Sequence, residues 1–124
     1  MNYVMGVDLG TSAVKVLLVD RDGKVVAEAS ESYPLMQPRS GFSEQDPEEW
    51  VRGTIAAMAA VMKQAAVRPD QVEGISFSGQ MHGLVLLDEN MKPLRHAILW
   101  NDTRTTEQCR KIEAVLGKDL LRVT

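Results

Sequence analysis

The sequence predicts a mixed α/β domain in which helices cover a twisted sheet. Three observations carry that expectation. Short apolar runs rich in β-branched residues, separated by tight turns, fill the first part of the chain. A long stretch of helical spacing with a capping signature follows. A further apolar run then ends in a polar turn flanked by glycines, after which come a hairpin pattern and a second helical stretch.

Each element has its own signal. Tyr3 to Asp8 is a short apolar run ending at a glycine-containing turn, as a buried strand does. Val14 to Val19 and Lys24 to Ser32 read as two more strands, joined by Asp20-Arg21-Asp22-Gly23 with glycine where positive φ is favoured. Three strands with tight connections make an antiparallel meander. Pro34 to Gly41 is a loop. Asp46 is an N-cap, Pro47 suits the first helical position and Glu49 stands three residues after the cap. The segment Ser43 to Trp50 is thereby explained as the start of a helix. Val51, Ile55, Met58, Met62 and Ala65 share one helical face. Gly53 costs that helix about 1 kcal/mol relative to alanine, and Arg68-Pro69-Asp70 ends it. Val72 to Ser78 is a fourth strand. Leu84 to Leu87 and Ala97 to Trp100 flank a polar turn and read as a hairpin. A second helix runs from about Arg104 to Leu116, with Gly117 as its stop.

Composition narrows the function classes. A hydrophobic fraction of 44% and a charged fraction of 25% are ordinary for a globular domain. The net charge of −3 offers no basic field for a nucleic-acid backbone. No apolar run approaches the ~18–20 residues of a membrane span, and the N-terminal segment shows neither a basic leader nor an apolar signal core. A single cysteine, Cys109, allows no intrachain disulfide and no multi-cysteine zinc site, which fits a reducing cytoplasm.

Two turns carry candidate chemistry. In Asp8-Leu9-Gly10-Thr11-Ser12, Gly10 allows a tight turn and close ligand approach. The backbone N–H groups of Gly10, Thr11 and Ser12 and the two hydroxyls are donors for phosphate oxygens, with Lys15 adding positive charge. Asp8 is acceptor-only when ionised, so it suits Mg²⁺ or its waters. The same residues also satisfy an ordinary hairpin. The second turn, Gly79-Gln80-Met81-His82-Gly83, ends a buried strand, where α/β sheets bind ligands. Gln80 and His82 both donate and accept hydrogen bonds, as a polyhydroxyl ligand requires; a turn histidine with Met81 in the core explains them equally. In Trp100-Asn101-Asp102-Thr103-Arg104, Asp102 or Thr103 fits a helix cap.

Taken together, these segments and Ser43-Glu44-Gln45-Asp46-Pro47 resemble the FGGY family of carbohydrate kinases, and within it the members that phosphorylate D-xylulose. Glycerol-specific members carry an arginine-glutamate pair where Met81 and His82 stand. The resemblance implies an actin-like, ribonuclease H-like ATPase fold, a mixed sheet flanked by helices, of which residues 1–124 form a partial N-terminal domain. It implies ATP and Mg²⁺ as cosubstrate and cofactor and a ketopentose as substrate. Met81, His82, Gln80, Asn101 and Asp102 would contact the sugar. Gly10, Thr11, Ser12 and Lys15 would face the ATP phosphates, and Asp8 would lie near Mg²⁺ and the transferred group. Lysine at position 15 replaces the arginine of some relatives and offers no bidentate grip.

The resemblance also sets an expectation of incompleteness. Family members are several times longer, with substrates held between two domains. Their catalytic base lies in a Gly-Gly-Asp-Asn-like segment that this sequence does not contain. One wall of a cleft does not exclude water around a transferring phosphoryl group, so the 124-residue chain alone is expected to be inactive and to self-associate through uncovered apolar surface. Three other readings stand beside this one: a kinase for another sugar or polyol in the same family, a sugar- or phosphate-binding module without chemistry, and an actin-type ATPase that acts on no sugar, against which the Gln80-Met81-His82 turn argues.

Overall fold

The computed structural model describes residues 2–119 and 122. Strands β1 (Tyr3–Leu9), β2 (Ala13–Val19) and β3 (Val25–Ser32) form the expected antiparallel meander. A two-residue strand, β4 (Glu44–Gln45), precedes helix α1 (Pro47–Ala65). After α1 a single 3-10 turn, Pro69–Gln71, leads into β5 (Val72–Gly79), which lies parallel to β1 with Asp8 opposite Ser78 and Leu9 opposite Gly79. The sheet order is β3-β2-β1-β5. Strand β6 (Ala97–Ile98) and helix α2 (Thr106–Leu116) complete the named elements.

The sheet is mixed because a parallel partner for β1 needs a crossover, and α1 supplies it. Alternation along the strands sends Met5, Val7, Val14, Val16 and Leu18 to the α1 face, where they are buried with Ala57 and Val61. Asp8 and Lys15, their exposed neighbours, lie on the opposite face. Helix α1 starts as its capping signals indicate: the Asp46 carboxylate accepts the Glu48 N–H. It ends at Ala66, which adopts a left-handed conformation.

The buried stripe of α1 differs from the sequence expectation. Gly53, Ala57 and Val61 face the sheet, whereas Val51 and Ile55 are 54% and 62% exposed. Met58, Met62 and Ala65 of the expected face do pack against the core, but the closest approach to the sheet runs through small residues. A Cβ on Gly53 would stand 3.2 Å from Val14 Cγ1. The helix-propensity cost of Gly53 is thus offset by closer packing. Val51 and Ile55 instead border an apolar groove with Leu9, Pro47, Trp50 and Phe77.

The hairpin is corrected too. Leu84 bridges Ile98 and Leu87 bridges Pro93, but Leu84 to Leu87 form no continuous strand. β6 keeps its hydrogen bonds to Leu84 and pairs on its other side with β4, Glu44 opposite Ile98 and Gln45 opposite Ala97. Leu99 N–H to Ser43 O and Thr103 N–H to Gly41 O extend this seam. The segment Ser43 to Gln45 is therefore buried and carries a strand, as well as being the approach to a helix. Helix α2 begins two residues later than expected and stops at Gly117 with positive φ.

Candidate active site

The C-terminal ends of the parallel strands β1 and β5 lie side by side. Gln80 N–H donates to Leu9 O at 2.7 Å, one residue past the end of β5. A Cβ on Gly79 would fall 2.7 Å from Leu9 O and 2.9 Å from Leu9 Cβ, so glycine alone permits this approach. Sheets of this kind bind ligands at this position, and both candidate turns spring from it.

The phosphate-like turn is held from behind. The Tyr33 hydroxyl donates to Gly10 O, the Tyr33 N–H to Ser12 O, and the Gln45 side-chain amide to Thr11 O. Burial, with the nearby Asp8 charge adding to it, pushes the Tyr33 phenol pKa up, so it remains a donor. All three carbonyls of the turn therefore point into the protein. The N–H groups of Thr11 and Ser12 have no acceptor among the described residues, which leaves them for an anionic ligand. Gly10 is different: its N–H donates to Ala13 O at 3.0 Å and closes the turn, so it serves by conformation and not as a donor.

Asp8 and Lys15 are paired across β1 and β2 and share an open cavity of about 340 Å³ with Ser76 and Ser78 on the sheet face away from α1. Asp8 accepts from the Ser78 hydroxyl at 3.2 Å, and Lys15 stands 3.7 Å from Glu28. Among the described residues no three carboxylates, histidines or cysteines gather as a metal-binding cluster. One exposed carboxylate still suits Mg²⁺, which commonly takes one or two protein oxygens and fills its sphere with waters and phosphates.

The second turn meets the first. Thr11, Gly79, Gln80, Met81, His82 and Trp100 line one cavity of about 380 Å³. His82 is exposed and held at φ 62°, a conformation that a non-glycine residue adopts at a cost and that recurs at functional sites. The Trp100 indole N–H donates to Thr11 Oγ1 at 3.2 Å, leaving that hydroxyl its own proton to donate. Sequence reasoning missed Trp100 as a cavity-lining residue. Its only signal was a tryptophan at the end of an apolar run, which a core position explains as well.

Asn101 and Asp102 sit elsewhere. Asn101 lines a separate polar cavity with Gln37, Arg39, Ser40 and Thr103. The Asp102 side chain is 2% exposed, ion-paired with Arg104 at 2.7 Å, and accepts the Ser43 N–H at 2.7 Å. Arg104 also bonds Glu44, and its guanidinium lies 3.7 Å over the Phe42 ring. The Arg104 guanidinium holds both carboxyl pKa values below the usual range, with Arg95 assisting at Glu44. This cluster ties β4 to the turn after β6, behind the cavity that His82 lines.

The sheet order and the paired strand ends suit the actin-like ATPase fold, and solved structures that match the chain are sugar kinases of that fold. The xylulose kinase of Rhodospirillum rubrum matches 95% of the chain at a TM-score of 0.87 and 29% identity, using 24% of its own length. The chain belongs to the FGGY family of carbohydrate kinases, whose N-terminal domain model matches residues 3–124. It is 56% identical over its whole length to the xylulose kinase of Bacillus subtilis, and 50% identical over 94% of its length to that of Staphylococcus epidermidis. It spans about a quarter of the length of these relatives, 25% and 24% respectively.

Proposed function

We propose that this domain supplies the sugar-facing and phosphate-facing wall of an ATP-dependent xylulose kinase. The observation that carries the reading is that Thr11 of one turn and Met81-His82 of the other line a single cavity. His82 and Gln80 bind and orient the ketopentose through its hydroxyls, and Met81 and Trp100 give it apolar contact. The free N–H groups of Thr11 and Ser12 hold phosphate oxygens, and Lys15 offsets their charge. Asp8 is the residue for Mg²⁺, directly or through water; when bound, the ion neutralises charge on the transferring group. Asp102 and Asn101 act through the position of the loop, not by reaching His82. The remaining three quarters of the relatives' length would close the cleft and provide the base.

The reading sets the compartment and the partners. A sugar-phosphorylating enzyme of this kind works in the cytoplasm on small molecules, without nucleic acid or membrane. Among the described residues no helix is long and apolar enough to cross a membrane. The test is sugar-dependent ADP release by the intact kinase, with D-xylulose, gluconate and glycerol compared at subsaturating concentration. The highest kcat/KM with D-xylulose is expected; a higher value with another substrate overturns the assignment. The 124-residue chain by itself should release no ADP above background.

A further inference from the structure

The side chain of Gln45 is wholly buried, yet no apolar role explains it. Its carboxamide touches three elements. Trp50 Nε1 of α1 donates to Gln45 Oε1 at 2.9 Å, Gln80 Nε2 of the second turn donates to the same oxygen at 3.1 Å, and Gln45 Nε2 donates to Thr11 O of the first turn. An indole N–H only donates, so Trp50 fixes which end of the Gln45 amide is oxygen. The amide nitrogen then faces Thr11 O, and Gln80 must present its nitrogen. The direction of every bond in the chain is set by one tryptophan.

We propose that Gln45 is a positioning residue that couples the phosphate turn to the sugar turn. It touches neither reacting group. It holds Thr11 O inward, which leaves the Thr11 and Ser12 N–H groups outward, and it holds Gln80 against the rear of the cavity that Met81 and His82 line. Any shift of Gln45 moves both turns together, so the two substrates are held in a fixed relation before either binds. The inference rests on the xylulose kinase reading for the identity of the two ligands, but not for the coupling itself.

Two variants of the intact kinase test it. Gln45→Leu removes all three bonds at similar volume. Gln45→Glu keeps the acceptor for Trp50 and Gln80 but, when ionised, sets an oxygen against Thr11 O; when protonated, its O–H restores that bond. Burial raises the introduced carboxyl's pKa and the Trp50 and Gln80 donors lower it, so the comparison runs from the acid to the alkaline side of neutrality. In hydrogen exchange without ligand, Gln45→Leu should speed exchange in residues 10–13 and 80–83 together, by about tenfold, while β2 and β3 are unchanged. In kinetics, the ratio of the Gln45→Glu KM for MgATP to the wild-type value should rise about tenfold from pH 6 to pH 8, and the ratio for sugar should rise with it. Tyr33, Glu44, Asp46 and His82, the titratable neighbours, are common to both proteins and cancel in the ratio. Unchanged exchange in either turn, or a pH-independent ratio for either substrate, overturns the proposal. If Gln45→Leu does not fold, Gln45→Glu decides alone. If the wild type turns over no sugar, the kinase reading fails and exchange in Gln45→Glu, faster in residues 10–13 and 80–83 together at pH 8 than at pH 6 after correction for intrinsic rates, still judges the coupling.

Discussion

Single residues at this site divide into those facing the open cavities and those holding them. Asp8 faces out, so Asp8→Asn should leave the fold intact and raise the Mg²⁺ concentration for half-maximal activity by roughly 10–100-fold; an unchanged Mg²⁺ requirement would remove Asp8 from the metal site. Asp102 and Glu44 hold. Both carboxyl pKa values are depressed by Arg104, so their contribution to stability is complete above the ordinary carboxylate values of about 4 and is lost as the pH falls from there through the folded values. Arg104→Met should lower the unfolding midpoint at pH 7 by several degrees and flatten the decline of stability below about pH 4. An unchanged acid slope in the thermal melts would place the acid sensitivity elsewhere.

Elements set how near the two turns come. The ends of β1 and β5 touch only because position 79 has no side chain. Gly79→Ala brings a Cβ against backbone at Leu9, which cannot swing aside, and should cost about 1–3 kcal/mol by denaturant unfolding while displacing both turns. No loss of stability would mean that the strands part freely and that their spacing is not tightly set. The meander, α1 and β5 were legible in the sequence because each rests on a local signal: the β-branched runs, the Asp46-Pro47 cap and the turn at Asp20 to Gly23. The pairing of β4 with β6 was not. Two residues carry no period, and their partner lies more than fifty positions away, so Ser43-Glu44-Gln45 seemed fully explained by the capping of α1. The role of Gln45 was hidden for the same reason: a buried glutamine shows its purpose only when Trp50, Gln80 and Thr11 are seen around it.

At the scale of the whole molecule, the fold leaves one flank bare. Phe77 on β5 and Val51 and Ile55 on α1 are each more than half exposed around one apolar groove, and the outer edge of β5 has no strand partner among the described residues. The 124-residue chain by itself should therefore associate through this flank as its concentration rises. Sedimentation velocity that shows a monomer across the accessible concentration range would contradict this. The two candidate turns stood out in the sequence, yet only the structure brings them to one cavity, separates Asn101 and Asp102 from it and adds Trp100. Side-chain direction after a short strand depends on the register of that strand, which the sequence alone does not set.

The central claim is that His82 reads the sugar while the turn at Thr11 reads the nucleotide. The most direct measurement is steady-state kinetics of His82→Ala in the intact kinase, with D-xylulose and MgATP varied in turn. A KM for D-xylulose raised about tenfold or more is expected, as for the loss of a hydrogen bond made to a substrate hydroxyl, with the KM for MgATP nearly unchanged. Equal effects on both, or none on either, would show that His82 is a structural turn residue and would contradict the assignment of this cavity to the sugar.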